Sequence, residues 1–284
     1  MISDTMTGPP CDHNPRAIDR LSHFARRATA ALRRLPDFVI IGGMKCGTSF
    51  LHDALQRHPD IRPASRKEVH YFDYPMNHRR GTSWYRTHFP VRSNRLSGEA
   101  SPYYSYHPLV PARMAALLPR AKLIVLLRNP VDRAYFHYQH NRRFGFDTTA
   151  TFEEAVALEE VRCYGECERI EHDPTYYSFH HQHSSYLDRG NYAEILTRWR
   201  QHYGERQMLT LKSEDLFSKP GSTLAKVHAF LNIRRHNHQV FHTLNAGSYA
   251  PLKKETRTRL SRYFEPHNRR LSEWLGYDTG WHDA

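Results

Sequence analysis

The chain has 284 residues, 39% of them hydrophobic and 25% charged, which suits a folded protein with a sizeable core and excludes a wholly disordered one. Lys plus Arg is 41 against 29 Asp plus Glu, so the formal net charge is +12. That balance favours anionic partners such as a nucleotide, nucleic acid, an anionic glycan or a lipid surface. Apolar runs such as Leu123 to Leu127 are far too short to cross a bilayer.

The first 36 residues read as a basic extension ahead of a single domain over 37–284. Ile18, Leu21, Ala25, Ala28, Leu32 and Leu35 alternate by three and four with arginines between them, which predicts a short amphipathic helix. It is expected to dock on the body. Self-association into a homodimer and loose contact with a membrane surface are the alternatives. No secretory signal is visible, Ala28 to Leu32 being only a few residues long, so the chain is expected in the cytoplasm. Of the four cysteines, Cys163 and Cys167 with His172 do not match a common zinc spacing and lack a fourth ligand, so free thiols and no metal are expected.

Asp37 to Ile41 is a β-branched run ending in Gly42-Gly43, a buried strand and a tight turn. A helix follows from Thr48 to about Arg57, with Leu51, Ala54 and Leu55 on one face. Leu123 to Leu127 is a second buried strand. Pro130 suits the first turn of the next helix, whose Val131, Ala134, Tyr135 and Tyr138 share a face. A helix over 191–203 is expected to bury Tyr192, Ile195, Leu196, Trp199 and Tyr203. Met208 to Leu211 reads as a third strand and Leu224 to Leu231 as a helix. The tail from Pro251 to Leu275 reads as helical, interrupted near Pro266. Strands alternating with helices predict one α/β domain, a central parallel sheet flanked by helices.

A strand, a glycine-rich turn and a helix together form a common phosphate cradle. Here the turn is Gly42-Gly43-Met44-Lys45-Cys46-Gly47-Thr48-Ser49. A triphosphatase loop would read G-x-x-x-x-G-K-[ST]. This chain keeps both glycines, at 42 and 47, but Thr48 holds the lysine position and the lysine is Lys45. The second strand ends in Arg128, where an Asp would be needed to hold magnesium. Direct anion binding by Lys45 and Arg128 is therefore favoured over a P-loop kinase of a small substrate.

Lys45-Cys46-Gly47-Thr48-Ser49 resembles the K-x-G-T-[ST] loop of sulfotransferases that use 3′-phosphoadenylyl sulfate (PAPS). Arg128-Asn129-Pro130-Val131-Asp132-Arg133-Ala134 is similar to their 3′-phosphate segment, R-[DN]-P-x-x-R-A. Lys67-Glu68-Val69-His70-Tyr71-Phe72-Asp73 resembles the K-E-x-H-F-F segment of the heparan sulfate group, and Tyr138-Gln139-His140 a run of the heparan N-sulfotransferases. Ser213-Glu214-Asp215-Leu216 and Phe230-Leu231 also follow the family. The resemblance spans about residues 37–281 and implies a P-loop-like sulfotransferase fold.

It also implies in-line transfer of a sulfuryl group from PAPS to a hydroxyl or amine of a sugar or small-molecule acceptor, with 3′-phosphoadenosine 5′-phosphate (PAP) as product. Lys45 would neutralise the leaving phosphate. Met44, Lys45, Cys46, Gly47, Thr48 and Ser49 would hold the 5′-phosphate, and Arg128, Ser248 and Tyr249 would hold the 3′-phosphate side. Glu68 is the implied base, its pKa expected to be raised by the aromatic stretch around it; the bland alternative is an exposed charged turn. Lys67 and His70 would orient donor or acceptor. Helical spacing puts Arg133, Phe136, His137 and His140 opposite the Val131/Tyr138 stripe, so His140 is either an active-site group or a solvated surface residue.

The chain departs from the family at two points. Phe136 replaces the serine found eight residues after the arginine, and Asn245 to Pro251 replaces a basic K-G-R-x-Y-P loop. Phe136 cannot donate to a 3′-phosphate, which leaves a catalytically impaired basic glycan-binding protein as the remaining alternative. A nucleic-acid partner is not expected, no RRM, KH or zinc-finger pattern being present. A heparan substrate is not expected in a cytoplasmic chain.

Overall fold

The computed structural model describes residues 26–236 and 249–281. Four strands, β1 (Phe38–Gly42), β2 (Gly98–Ala100), β3 (Lys122–Leu127) and β4 (Met208–Lys212), pair in parallel in the order β2-β1-β3-β4. Side chains alternate across a strand, so a sheet covered on both faces needs apolar residues at every position. β1 and β3 meet that need. Phe38, Ile40, Ile124 and Leu126 enter one core with α1 (Thr48–Gln56) and α5 (Pro220–Leu231). Val39, Ile41, Leu123, Val125 and Leu127 enter the other. That second core is closed by α2 (Val110–Leu117), α4 (Tyr192–Arg200) and the end of α6 (Lys254–Leu275).

From β1 the chain moves to β2 on one side and then crosses to β3 on the other. The sheet therefore has its switch point between β1 and β3, where open α/β sheets leave a crevice at the carboxyl ends of the strands. α3 (Pro130–Phe144) leaves that crevice from β3. The Asn129 side chain caps it by accepting from Val131 N at 3.0 Å, and Gly145 ends it at φ 74°. A third cluster joins α3 to α6 through Val131, Ala134, Tyr138, Leu260 and Phe264.

Two expectations are corrected. α6 runs unbroken through Pro266. The proline lies on the exposed side, while Thr256, Leu260, Phe264, Asn268 and Leu271 are buried along the other and carry the helix past the missing N–H. The N-terminal stripe is the second. Ile18, Leu21 and Ala25 lie outside the described residues. Beyond them the chain is helical over 26–28 and makes a 3₁₀ turn over Ala30–Leu32, and Leu32 is 60% exposed. Arginines do the docking there: Arg26 Nε donates to Thr87 O at 2.6 Å, and Arg33 Nη1 to Phe89 O at 2.8 Å. No described helix is long and apolar enough to cross a membrane.

Candidate active site

The turn between β1 and α1 sits at the switch point. Gly47 caps α1 at φ 91°, and a Cβ there would lie 3.0 Å from the Phe217 ring, so both backbone and space require glycine. The first-turn amides of α1, at Thr48 and Ser49, have no intrahelical partner and suit an anion. Lys45 holds φ 65°, an uncommon conformation for a residue with a side chain. The loop is braced from behind by Ser213 Oγ, which donates to Cys46 O at 2.9 Å, while Glu214 accepts Asn129 N at 2.9 Å and secures the end of β3. These two bonds give the Ser213-Glu214 segment its role.

The Cys46 thiol is fully buried, and burial pushes its pKa up to about 12. Its amide bonds Gly43 O at 3.2 Å. The Met44 sulfur turns inward, 3.2 Å from Arg189 Nη1. Neither side chain faces the crevice. Arg128 Nη1 donates to Lys45 O at 3.3 Å, and its guanidinium lies 4.1 Å from the centre of the Phe136 ring. The Tyr249 ring centre lies 6.1 Å from that of Phe136, tilted by 60°. Ser248 lies outside the described residues.

The second wall is the segment after residue 66. Glu68 N donates to Ala100 O at 2.9 Å, tying the segment to the carboxyl end of β2. Glu68 (φ 59°) and His70 (φ 53°) both take left-handed conformations. Strain of this kind persists where the surroundings over-determine it, and it concentrates at functional sites. The turns bring three groups together: His70 Nε2 is 3.4 Å from Glu68 Oε2, and His70 Nδ1 is 2.8 Å from Asp73 Oδ2. Lys67 Nζ pairs with Glu68 Oε1.

The expected rise in the Glu68 pKa is corrected by this geometry. Burial pushes the carboxyl up, but the hydrogen bond from His70 and the Lys67 and His70 charges outweigh it, so the group lies well below the usual carboxylate range. Desolvation favours neutral His70, yet Asp73 and Glu68 raise it well above its ordinary value, so it is an imidazolium at neutral pH.

Lys45 is drawn down to about 8 by burial, opposed by Glu68 and reinforced by Lys67 and Arg143. His140 is half-buried and held at about 4 by burial, with Lys45 adding to the effect and Glu68 opposing it. Lys45, Lys67, Glu68 and His140 therefore share one electrostatic environment, and His140 is not a solvated surface residue. On the same helix face Arg133 and His137 are buried, at 1% and 0% exposure.

Sequence reading gave no role to Asp73, Arg143 or His52. Asp73 stands inside the quoted segment three residues after His70, and Arg143 stands three after His140 on α3; spacing was the signal for both. His52, one turn into α1, is buried and held at about 4 by burial and by Lys67. No group of three or more His, Cys, Asp or Glu that could hold a metal occurs among the described residues.

A loop cradle at the switch point, an arginine at the neighbouring strand end and an ionised carboxylate that acts electrostatically on the loop lysine lie near one another. The family model for the sulfotransferase domain matches residues 35–278, and the chain belongs to that family. It is 34% identical over 211 residues to the human bifunctional heparan sulfate N-deacetylase/N-sulfotransferase 2, covering 70% of this chain and 22% of that protein. It is 28% identical over 318 residues to the membrane-associated sulfotransferase kil1 of Dictyostelium discoideum, covering 87% and 66%. A solved sulfotransferase from Alicyclobacillus acidocaldarius superposes with a TM-score of 0.70 at 28% identity, over 88% of this chain and all of that one. The chain thus spans about a fifth of the length of the heparan sulfate relative.

Proposed function

We propose that this protein transfers a sulfuryl group from PAPS to a hydroxyl or amine of a sugar or small-molecule acceptor. The observation that carries the reading is a lysine-bearing phosphate cradle within electrostatic reach of an ionised glutamate. The amides of Gly47, Thr48 and Ser49 suit the 5′-phosphate of the donor. The Lys45 ammonium is in the same loop, where it stabilises negative charge growing on the bridging oxygen. Arg128, steadied by Phe136, offers its remaining N–H groups to the 3′-phosphate.

Glu68 is ionised and accepts the acceptor's proton as the new bond to sulfur forms and the bond from sulfur to the phosphate oxygen breaks. A carboxylate held this low is a weak base, so its contribution is positioning together with late proton capture. His70 and Asp73 fix its orientation. Neutral His140 can donate one hydrogen bond and accept another, which suits alignment of the acceptor. The narrower choice of a sugar acceptor is supported by relatives named for heparan sulfate. Action in a reducing compartment such as the cytoplasm is supported by the free thiols of Cys46, Cys163 and Cys167.

The test is transfer of labelled sulfate from PAPS to a panel of glycans and small molecules, with and without chelator. Wild type is expected to release PAP and label an acceptor under both conditions. Glu68→Gln should be slower by ~10²-fold or more with donor affinity intact. Turnover that needs magnesium and ATP, or a Glu68→Gln variant near wild-type rate, would sink the reading.

A further inference from the structure

Beneath the phosphate loop, on the side of the sheet facing α4, lies a small, largely enclosed cavity of ≈20 Å³. Val125, Leu127 and Ile195 are among its apolar walls, and Met44, Ser105, Arg133 and Arg189 are among its other lining residues. Both arginines are buried, at 1% and 4% exposure. Arg133 Nη2 donates to Tyr186 O, whereas its Nε and Nη1 have no hydrogen-bond partner among the described residues. Arg189 is held by Ser185 Oγ at 2.8 Å, His181 O at 2.8 Å and Gln182 O at 2.6 Å. Its Nη1 reaches the Met44 sulfur at 3.2 Å, a weak acceptor.

Neither guanidinium forms a salt bridge with a described residue. The acidic groups around them offset the pair only in part, Glu159 being drawn on by Arg133. Both oxygens of Glu159 accept backbone N–H groups of Leu187 and Asp188, and burial pushes that carboxyl up to about 7. The Cys46 thiol stays protonated. Arg189 also lies over the Tyr103 and Tyr106 rings, at 4.9 and 4.7 Å. Neither ring carries a counter-charge, and two buried cations that are only partly offset repel each other.

We propose that this cavity is a binding site for a monovalent anion of chloride size, held between Arg133 and Arg189. Its volume exceeds the ~10–15 Å³ one water requires, which leaves space for a small anion. A water could satisfy the N–H donors but not the charge. The anion would fix Arg189, and through it Met44, so it braces the phosphate loop from inside the fold. The site is separate from the donor crevice and does not depend on the proposed transfer.

Bromide is the probe, because its anomalous scattering distinguishes it from water. Wild-type crystals grown with bromide are expected to show a peak between the two guanidiniums. In solution at fixed ionic strength, replacing gluconate by chloride or bromide should raise the melting temperature saturably by about 2–4 °C. Arg189→Met should lose this halide-specific rise, whatever its own melting temperature. A cavity without the bromide peak, or an equal response to gluconate, overturns the proposal. A peak without the solution effect marks an adventitious ion only and overturns it too, as does a full halide response in Arg189→Met. The wild-type measurements decide the matter if the variant does not fold.

Discussion

Lys45 shows how the site sets function against stability. Its pKa in the fold, about 8, lies below the ordinary lysine value of 10.5, with burial as the chief cause. A cation whose pKa is lowered by folding opposes folding while it is charged, and the penalty lifts only as pH rises from about 8 towards 10.5. Lys45→Met is therefore expected to gain on the order of 2 kcal/mol of stability at pH 7 while losing sulfuryl transfer. Urea unfolding and the labelled-sulfate assay check both halves, and a less stable variant would contradict the burial argument. Phe136 can be weighed in the same way. Its ring lies under the Arg128 guanidinium at 4.1 Å. A contact of this kind is worth ~0.5–2 kcal/mol. Phe136→Leu keeps the bulk and removes the π face, so PAP should bind roughly three- to tenfold more weakly. Adenosine 5′-phosphosulfate, which lacks the 3′-phosphate, should bind unchanged. Titration calorimetry with both nucleotides separates the outcomes, and equal losses for the two would mean that Phe136 supports the fold rather than Arg128.

The elements differ in how far sequence revealed them, and the cause is burial. β1 and β3 are covered on both faces, so each is a continuous apolar run that any pattern reading finds. β2 is Gly98-Glu99-Ala100 and has no such run; it is a strand because it pairs with β1. Gly98 is there because the Phe38 ring of the neighbouring strand fills the space of its side chain, a Cβ at 98 falling 2.3–2.5 Å from three ring atoms. Phe38 is itself 3% exposed and has nowhere to move. Gly98→Ala should cost ~1–3 kcal/mol by overpacking and disturb the strand whose other end anchors Glu68. Chemical denaturation measures that loss, and a neutral substitution would show that Phe38 can repack. The phosphate loop was legible because its glycines, lysine and following helix are contiguous. The state of Glu68 was not. Aromatic neighbours suggested a raised pKa, but the deciding groups, His70 and Asp73, approach the carboxylate only through left-handed turns that no residue type in the segment announces.

At the scale of the whole molecule, the unusual feature is histidine buried in its neutral form. His52 and His107 are held at about 4 and His183 at about 3, each chiefly by burial. His137 and His181 are shifted in the same direction for the same reason. All five are less than 9% exposed. An unfolded histidine titrates near 6.5, so between that pH and the folded values the unfolded chain binds more protons and stability falls with falling pH. By pH 5 each of the three histidines with a stated value withdraws about 2 kcal/mol, and His137 and His181 add to the loss. Buried Glu99 and Glu159 act in the opposite sense. Their pKa values are raised to about 7, so they take up protons in the folded state first and return roughly 2 kcal/mol each over the same interval. Five histidines outweigh two carboxyls, and the net loss of several kcal/mol is comparable with the whole stability of a typical domain. Acid unfolding is therefore expected between about pH 6 and 5, above the range in which carboxylate protonation alone unfolds most proteins. Guanidinium unfolding curves at pH 7, 6 and 5 test this, with the midpoint expected to fall steeply over the last unit. A midpoint constant to pH 5 would mean that the buried imidazoles reach water or a carboxylate partner before the fold opens.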